Sequence, residues 1–141
     1  MEVACENTTT TTNTHSKTEK ELLLYNLIVL QINNLVNDLR RIFPSDIVLK
    51  VCHNNMSDMY QNKLEFVDYL KKQVTLELQT LIQKKDESLF DKDNKTLRNL
   101  NFKRSSYVFN KMRSNWELLD SSSRNVVWKY LNFILKLLEK V

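Results

Sequence analysis

Residues 120–141 read DSSSRNVVWKYLNFILKLLEKV, and the prediction of the fold starts from their pattern of polar and apolar side chains. Its polar side chains recur every three or four residues, which draws one narrow polar stripe along an α-helix: Asn125, Lys129, Asn132, Lys136 and Lys140. Almost every other position after Val126 is apolar. A helix that is apolar over most of its circumference must pack against several neighbours. We therefore predict a largely buried C-terminal helix with Trp128 in the core.

Two long amphipathic segments upstream can supply the faces that cover this helix. The first is predicted to begin at a capping box of Thr18 and Glu21 and to end before Pro44. Its apolar stripe has helical spacing: Leu24, Ile28, Ile32, Leu35, Leu39 and Ile42. Four further side chains are expected to widen that stripe: Leu23, Leu27, Leu30 and Val36. The second segment, capped by Ser57, is predicted to form one long helix on a second stripe: Tyr60, Leu64, Val67, Leu70, Val74, Leu78 and Leu81.

Shorter helical segments complete the predicted bundle. Ser45 and Asp46 can cap a short helix that Asn54 and Asn55 would close in the left-handed conformation. Residues 105–116 are predicted to form another helix, after a long packed loop or short helical turns over 86–101. Asp120 caps the last helix. The predicted fold is all-α: a compact, irregular bundle of four to five helices, with a disordered Thr-rich tail over 1–17 and a single helical domain over 18–141.

The complete lack of glycine restricts the function as well as the fold. Phosphate-binding loops, dinucleotide-binding turns and nucleophile elbows need glycine for positive φ or for close backbone approach. None of these sites can be present in its standard form. Tight hairpin turns also rely on glycine, so β-rich folds are disfavoured.

The few reactive side chains do not form a recognisable catalytic or metal site in the sequence. Cys52 and His53 are adjacent, and neighbours on a helix point about 100° apart, so the imidazole is badly placed to activate the thiol. Glu65 and Asp68 are interleaved with the apolar stripe and are expected to face water. Neither a C-x-x-C nor an H-x-x-x-H spacing occurs. We therefore expect no enzyme activity, no cofactor and no bound metal ion.

The charge of the chain is concentrated in its C-terminal part. Residues 1–91 contain ten Lys and Arg against thirteen Asp and Glu, whereas residues 92–141 contain eleven against four. A basic face that keeps the protein soluble is the simplest interpretation. The candidate contact surface for a protein partner or a nucleic acid is a set of seven cations: Lys92, Lys95, Arg98, Lys103, Arg104, Lys111 and Arg113. Phe102, Tyr107 and Phe109 are interleaved with them and could stack on unpaired bases.

The sequence also indicates a compartment. The N-terminus has no basic stretch followed by an apolar one, so no secretory signal is expected. The longest apolar run, residues 22–32, is interrupted by Asn26 and Gln31 and is too short to span a bilayer. Two cysteines, Cys5 and Cys52, do not make a disulfide framework. We predict an intracellular protein without a membrane span.

Several C-terminal motifs resemble a known group of proteins. They are Leu97-Arg-Asn-Leu-Asn-Phe102, Trp116-Glu-Leu-Leu119 and Val127-Trp128-Lys129-Tyr130-Leu131, with Asp38-Leu39 and Phe43-Pro44 nearer the N-terminus. These elements resemble the small helical proteins of nucleocytoplasmic large DNA viruses (iridovirus-, mimivirus- and phycodnavirus-like). Arg98 and Asn99 stand where that group has Pro-Gly.

The resemblance implies a viral protein made in an infected cell, and it brings no known activity or functional residues. Our first hypothesis is accordingly a non-enzymatic protein that binds protein partners, or a second copy of itself, in virion or replication-site assembly. The alternative is an accessory protein that binds nucleic acid through the basic segment 92–113.

Overall fold

The computed structural model describes residues 18–91 and 113–141, and the regular structure within these ranges is entirely helical. Six α-helices are described: α1 (Glu19–Ile42), α2 (Ile47–Asn54), α3 (Met56–Gln61), α4 (Lys63–Gln73), α5 (Leu76–Gln83) and α6 (Ser121–Glu139). Two 3₁₀ turns, Glu87–Phe90 and Trp116–Leu118, lie before and after the undescribed stretch. The predicted all-α fold is confirmed. The predicted tail over 1–17 and most of the helix predicted over 105–116 lie outside the described residues; 113–115 are helical.

The start and end of α1 follow the predicted chemistry. The Thr18 hydroxyl accepts from the Glu21 N–H at 3.1 Å, and the Glu21 carboxylate accepts from the Thr18 N–H at 3.0 Å, which completes the capping box. The helix ends at Ile42, and the next residue, Phe43, leaves the α region with a ψ of 68° directly before Pro44. By length and composition α1 could also cross a bilayer. The prediction of no membrane span therefore stays a prediction.

The prediction of one long helix from Ser57 to Leu81 is wrong, because the chain bends twice within this range. Asn62 separates α3 from α4, and Val74, with ψ 105°, separates α4 from α5. Thr75 then caps α5, since its hydroxyl accepts from the Leu78 N–H at 3.1 Å. The helical spacing of the apolar residues continues across both bends, which is why the pattern alone did not show them. Because one predicted helix is divided into three, the number of described helices exceeds the predicted four to five.

The left-handed helix ending occurs at a different residue from the predicted one. Asn55 has φ −96° and ψ 6°, so it does not take the left-handed conformation. Lys85, with φ 53°, is the one described residue with positive φ. Its N–H donates to the Ile82 carbonyl, and the Asp86 N–H donates to the Leu81 carbonyl. This is a Schellman ending of α5 with lysine where glycine is usual.

The helix at the centre of the arrangement is α1 rather than the C-terminal helix. It packs on α2, α3, α4 and α6, whereas α6 packs mainly on α1 and α5. Two hydrogen bonds fix the position of α6: Tyr130 Oη donates to Asp38 of α1, and Asn132 Nδ2 donates to the Ile82 carbonyl of α5. The prediction of a largely buried C-terminal helix is nevertheless confirmed for seven of its side chains: Val127, Trp128, Leu131, Ile134, Leu135, Leu137 and Leu138.

Candidate partner-binding surface

The basic surface predicted from the sequence lies almost wholly outside the described residues. Six of its seven cations fall in that stretch: Lys92, Lys95, Arg98, Lys103, Arg104 and Lys111. Arg113 is described and is half-buried at the point where the described chain resumes. Whether the seven cations form one surface therefore stays a prediction.

The structure does show how the two ends of that stretch are held. Phe90, just before it, stacks on Trp116, just after it, with ring centroids 4.3 Å apart and planes inclined by 25°. Both rings lie 5.4 Å from the ring of Trp128 on α6. Aromatic pairs in this range stabilise beyond their burial. The chain that leaves after Phe90 thus returns to the same place on α6.

Arg124 reinforces this junction from the first turns of α6. Its Nε donates to the Trp116 carbonyl at 3.1 Å, and its terminal nitrogen lies 3.2 Å from both carboxylate oxygens of Glu87. The guanidinium also lies 5.2 Å from the centroid of the Trp116 ring. No contact was predicted for Arg124, because Glu87 lies 37 positions away in the chain. One cation joins both 3₁₀ turns to α6.

An unpredicted surface is formed by leucines on the outward side of α1. Leu23, Leu27 and Leu30 are 61%, 38% and 46% exposed, although the sequence assigned them to the core. At 100° per residue they cluster within about 60° of one another, on the side opposite Ile32. Three of the four side chains predicted to widen the stripe therefore lie on the wrong side of the helix, whereas Val36 is buried as predicted. Tyr25 and Val29, which the sequence did not single out, are the residues that widen the buried face.

The neighbouring side of α6 also exposes apolar groups. Val126 and Phe133 are 38% and 43% exposed, at positions where burial was expected. A groove of about 360 Å³ lies between the two helices and is lined by Gln31, Val126, Lys129, Tyr130 and Phe133. A second hollow of about 220 Å³ continues from Val126 and is lined by Leu35, Asp38, Leu39, Arg41, Ile42, Ser123 and Val127.

The lining of the two hollows shows the direction of the helices. Gln31 lies beside Phe133, Asp38 is bonded to Tyr130, and Ile42 shares a hollow with Ser123. Residue numbers along α6 therefore fall as those along the neighbouring part of α1 rise, which means that the two helices are antiparallel. We call the surface formed by this groove and the adjoining residues the α1–α6 face: Leu23, Leu27, Leu30, Gln31, Val126, Lys129, Tyr130 and Phe133.

A short hydrogen bond crosses the floor of this face. Tyr130 Oη donates to Asp38 at 2.5 Å, and the other Asp38 oxygen lies 2.7 Å from Arg41. Burial and the bond to the Asp38 carboxylate raise the pKa of Tyr130 to about 12. Asp38 is the one carboxylate among the residues that line the two hollows. Because Arg41 forms an ion pair with it, Asp38 adds little net negative charge to the surface.

The remaining candidates for chemistry are positioned as structural groups. Burial, with the nearby Asp46 carboxylate, raises the pKa of the Cys52 thiol to about 11. His53 Nδ1 lies 2.9 Å from Asn37 Oδ1 and so points towards α1. Glu65 is exposed, and Asp68 accepts a hydrogen bond from Tyr25 at 2.5 Å. Across 18–91 and 113–141 no three His, Cys, Asp or Glu side chains converge as metal ligands.

Comparisons with known proteins add no further assignment. Searches against protein-family models, curated protein sequences and solved structures each give no match. The resemblance to helical proteins of large DNA viruses therefore stays a prediction.

Proposed function

We propose that the protein is a non-enzymatic binding module that recognises a protein partner through the α1–α6 face. Its role would be that of an assembly or accessory factor in a virion or at a viral replication site inside the infected cell. One observation carries the binding proposal: α1 exposes three leucines on one side, and α6 exposes Val126 and Phe133 along the groove that it forms with Gln31 of α1. Single exposed apolar residues are ordinary, but contiguous groups of them mark interaction sites. The viral setting is supported by the resemblance of the C-terminal motifs.

The direct test is affinity capture from the producing cells with a surface variant. Leu27→Ser with Phe133→Ser removes apolar area from both helices of the face without touching a buried residue. We expect the partners of the wild-type protein to be depleted about tenfold or more, as loss of interface anchors predicts. Leu76→Ser, at a 78% exposed position on α5, is the matched control and should retain them. Equal capture by all three proteins would contradict the proposal.

Nucleic-acid binding through 92–113 is the second candidate function. Its support is the excess of cations in that segment, together with the junction of Phe90, Trp116 and Arg124 that holds both ends of it against α6. Binding of this kind weakens steeply with salt, because counterions are released from the phosphates. Lys103→Glu with Arg104→Glu should then abolish the salt-dependent binding of DNA or RNA. Absence of binding to wild-type protein at low salt would reject this function.

A further inference from the structure

We infer that the partner of the α1–α6 face is an amphipathic α-helix whose apolar stripe is flanked by acidic residues. This inference deepens the proposed function and rests on it. It specifies the shape and the charge of the bound segment, which the proposed function leaves open. Each of these two properties follows from a separate observation.

The shape follows from the two antiparallel helices. A groove between such helices is concave and straight, and a third helix fills it by placing one apolar side chain per turn between them. The face and the adjoining second hollow together extend along α1 from Leu23 to Ile42, which is about 28 Å at 1.5 Å per residue. A partner helix of about 20 residues matches this length. Its apolar residues would recur at steps of three and four and lie between Leu27 and Phe133.

The charge follows from the rim of the groove. Lys129 lines it, and Lys136 and Lys140 are exposed within about 60° of Phe133 on the same side of α6. Arg41 stands at the far end, but its charge is paired with Asp38, so the net positive charge of the rim comes from these three lysines. Glu139, the one carboxylate within α6, lines a different hollow beside Lys71 and Val74. The rim is therefore basic, and opposite charge on a partner favours both encounter and register.

The same charges argue against two other occupants. A two-fold dimer uses one patch on both copies, so it would bring two lysine-rich rims together at a cost in free energy. The segment 92–112 contains six cations and one carboxylate, so it would be repelled in the same way. A flat anionic bilayer would satisfy the charge but not the concave floor, where Gln31 and the Tyr130–Asp38 pair lie between the helices.

The test uses two synthetic amphipathic helices of about 20 residues with an identical leucine stripe. One carries glutamates beside the stripe and the other carries lysines. Fluorescence anisotropy with the full-length protein should give micromolar binding of the glutamate peptide, at least about tenfold tighter than the lysine peptide, a difference of 1.4 kcal/mol. The double variant Leu27→Ser with Phe133→Ser should bind the glutamate peptide at least about tenfold more weakly than the wild type, whereas Leu76→Ser should bind it as the wild type does.

Several outcomes would overturn the inference. No binding of the glutamate peptide, or equal binding of both peptides, would reject the acidic helix. A wild-type dimer in analytical ultracentrifugation that the double variant dissociates would identify a second copy as the occupant. Binding to phosphatidylserine vesicles that the double variant loses would identify a membrane surface. If the double variant loses its cellular partners while the glutamate peptide fails to bind, the proposed function stands and only the partner chemistry is wrong.

Discussion

The two sides of α1 contain the same kinds of residue and have opposite environments. Ile28, Leu35 and Leu39 are at most 3% exposed, whereas Leu23, Leu27 and Leu30 are 38–61% exposed. The helix α6 repeats the contrast, with Trp128 buried and Phe133 in contact with solvent. Burial stabilises a fold only where other helices cover the side chain. Apolar character on the uncovered side therefore contributes little to folding and is available for binding.

The largest effect is expected on the buried side of α6. Trp128→Ala removes a ring that is packed against Phe90 and Trp116, and it should lower the free energy of unfolding by about 3–5 kcal/mol. Urea unfolding followed by circular dichroism measures this change. Phe133→Ala is the matched control on the exposed side of the same helix. Equal losses of unfolding free energy in the two variants would mean that the two sides of α6 contribute equally to stability.

An intermediate effect is expected at the boundary between the two sides, where Tyr130 meets Asp38. Tyr130→Phe removes a hydrogen bond to a carboxylate and should lower the free energy of unfolding by about 1–2 kcal/mol at pH 7. The pKa of Tyr130 is raised from 10.0 to about 12. The contribution of this hydrogen bond to the free energy of unfolding is therefore complete below pH 10 and is lost as the pH rises through 12.

Unfolding of both proteins between pH 7 and 12 tests this sign directly. The difference between wild type and Tyr130→Phe should be constant to about pH 10 and should then shrink. Tyr60→Phe, at an exposed tyrosine, corrects for general alkaline effects. A difference that grows above pH 10 would contradict the assignment of the raised pKa to this hydrogen bond.

A smaller change in the free energy of unfolding, of opposite sign, is expected at Lys85, which lies on neither the buried nor the exposed side of α1 or α6. Its φ of 53° is unfavourable for a residue with a Cβ atom. Lys85→Gly should raise the free energy of unfolding by about 0.5–1 kcal/mol, after subtraction of the greater freedom of glycine in the unfolded chain. Lys84→Gly, at a neighbour with φ −85°, should instead destabilise α5. Stabilisation by both substitutions would show that backbone conformation is not the cause.

Much of the fold follows from local chemistry and could be predicted. The capping box of α1, the stop before Pro44 and the cap at Asp120 each depend on residues within four positions of one another. The helix breaks at Asn62 and Val74 could not be predicted from the sequence, because the helical spacing of the apolar residues continues through both. The αL position was assigned to Asn55 by residue type, whereas the ending of α5 imposes it on Lys85.

The candidate surface was harder to predict than the fold. Leu23, Leu27 and Leu30 were counted as core because apolar residues default to burial in a sequence pattern. One signal was present: their helical angles lie on the side away from Ile32 and Leu39, not at the edge of that stripe. Which side is covered depends on where α6 packs, and α6 meets α1 through contacts such as Tyr130 with Asp38, 92 positions apart.

In this interpretation, the outward leucines of α1 serve binding and not folding. The most direct measurement is the free energy of unfolding of the triple variant Leu23→Ser, Leu27→Ser, Leu30→Ser, with Ile28→Ala as the reference for a buried position. We predict a change of less than about 1 kcal/mol for the triple variant and a loss of about 2–5 kcal/mol for Ile28→Ala. A loss of several kcal/mol in the triple variant would show that these leucines belong to the core and would contradict the account.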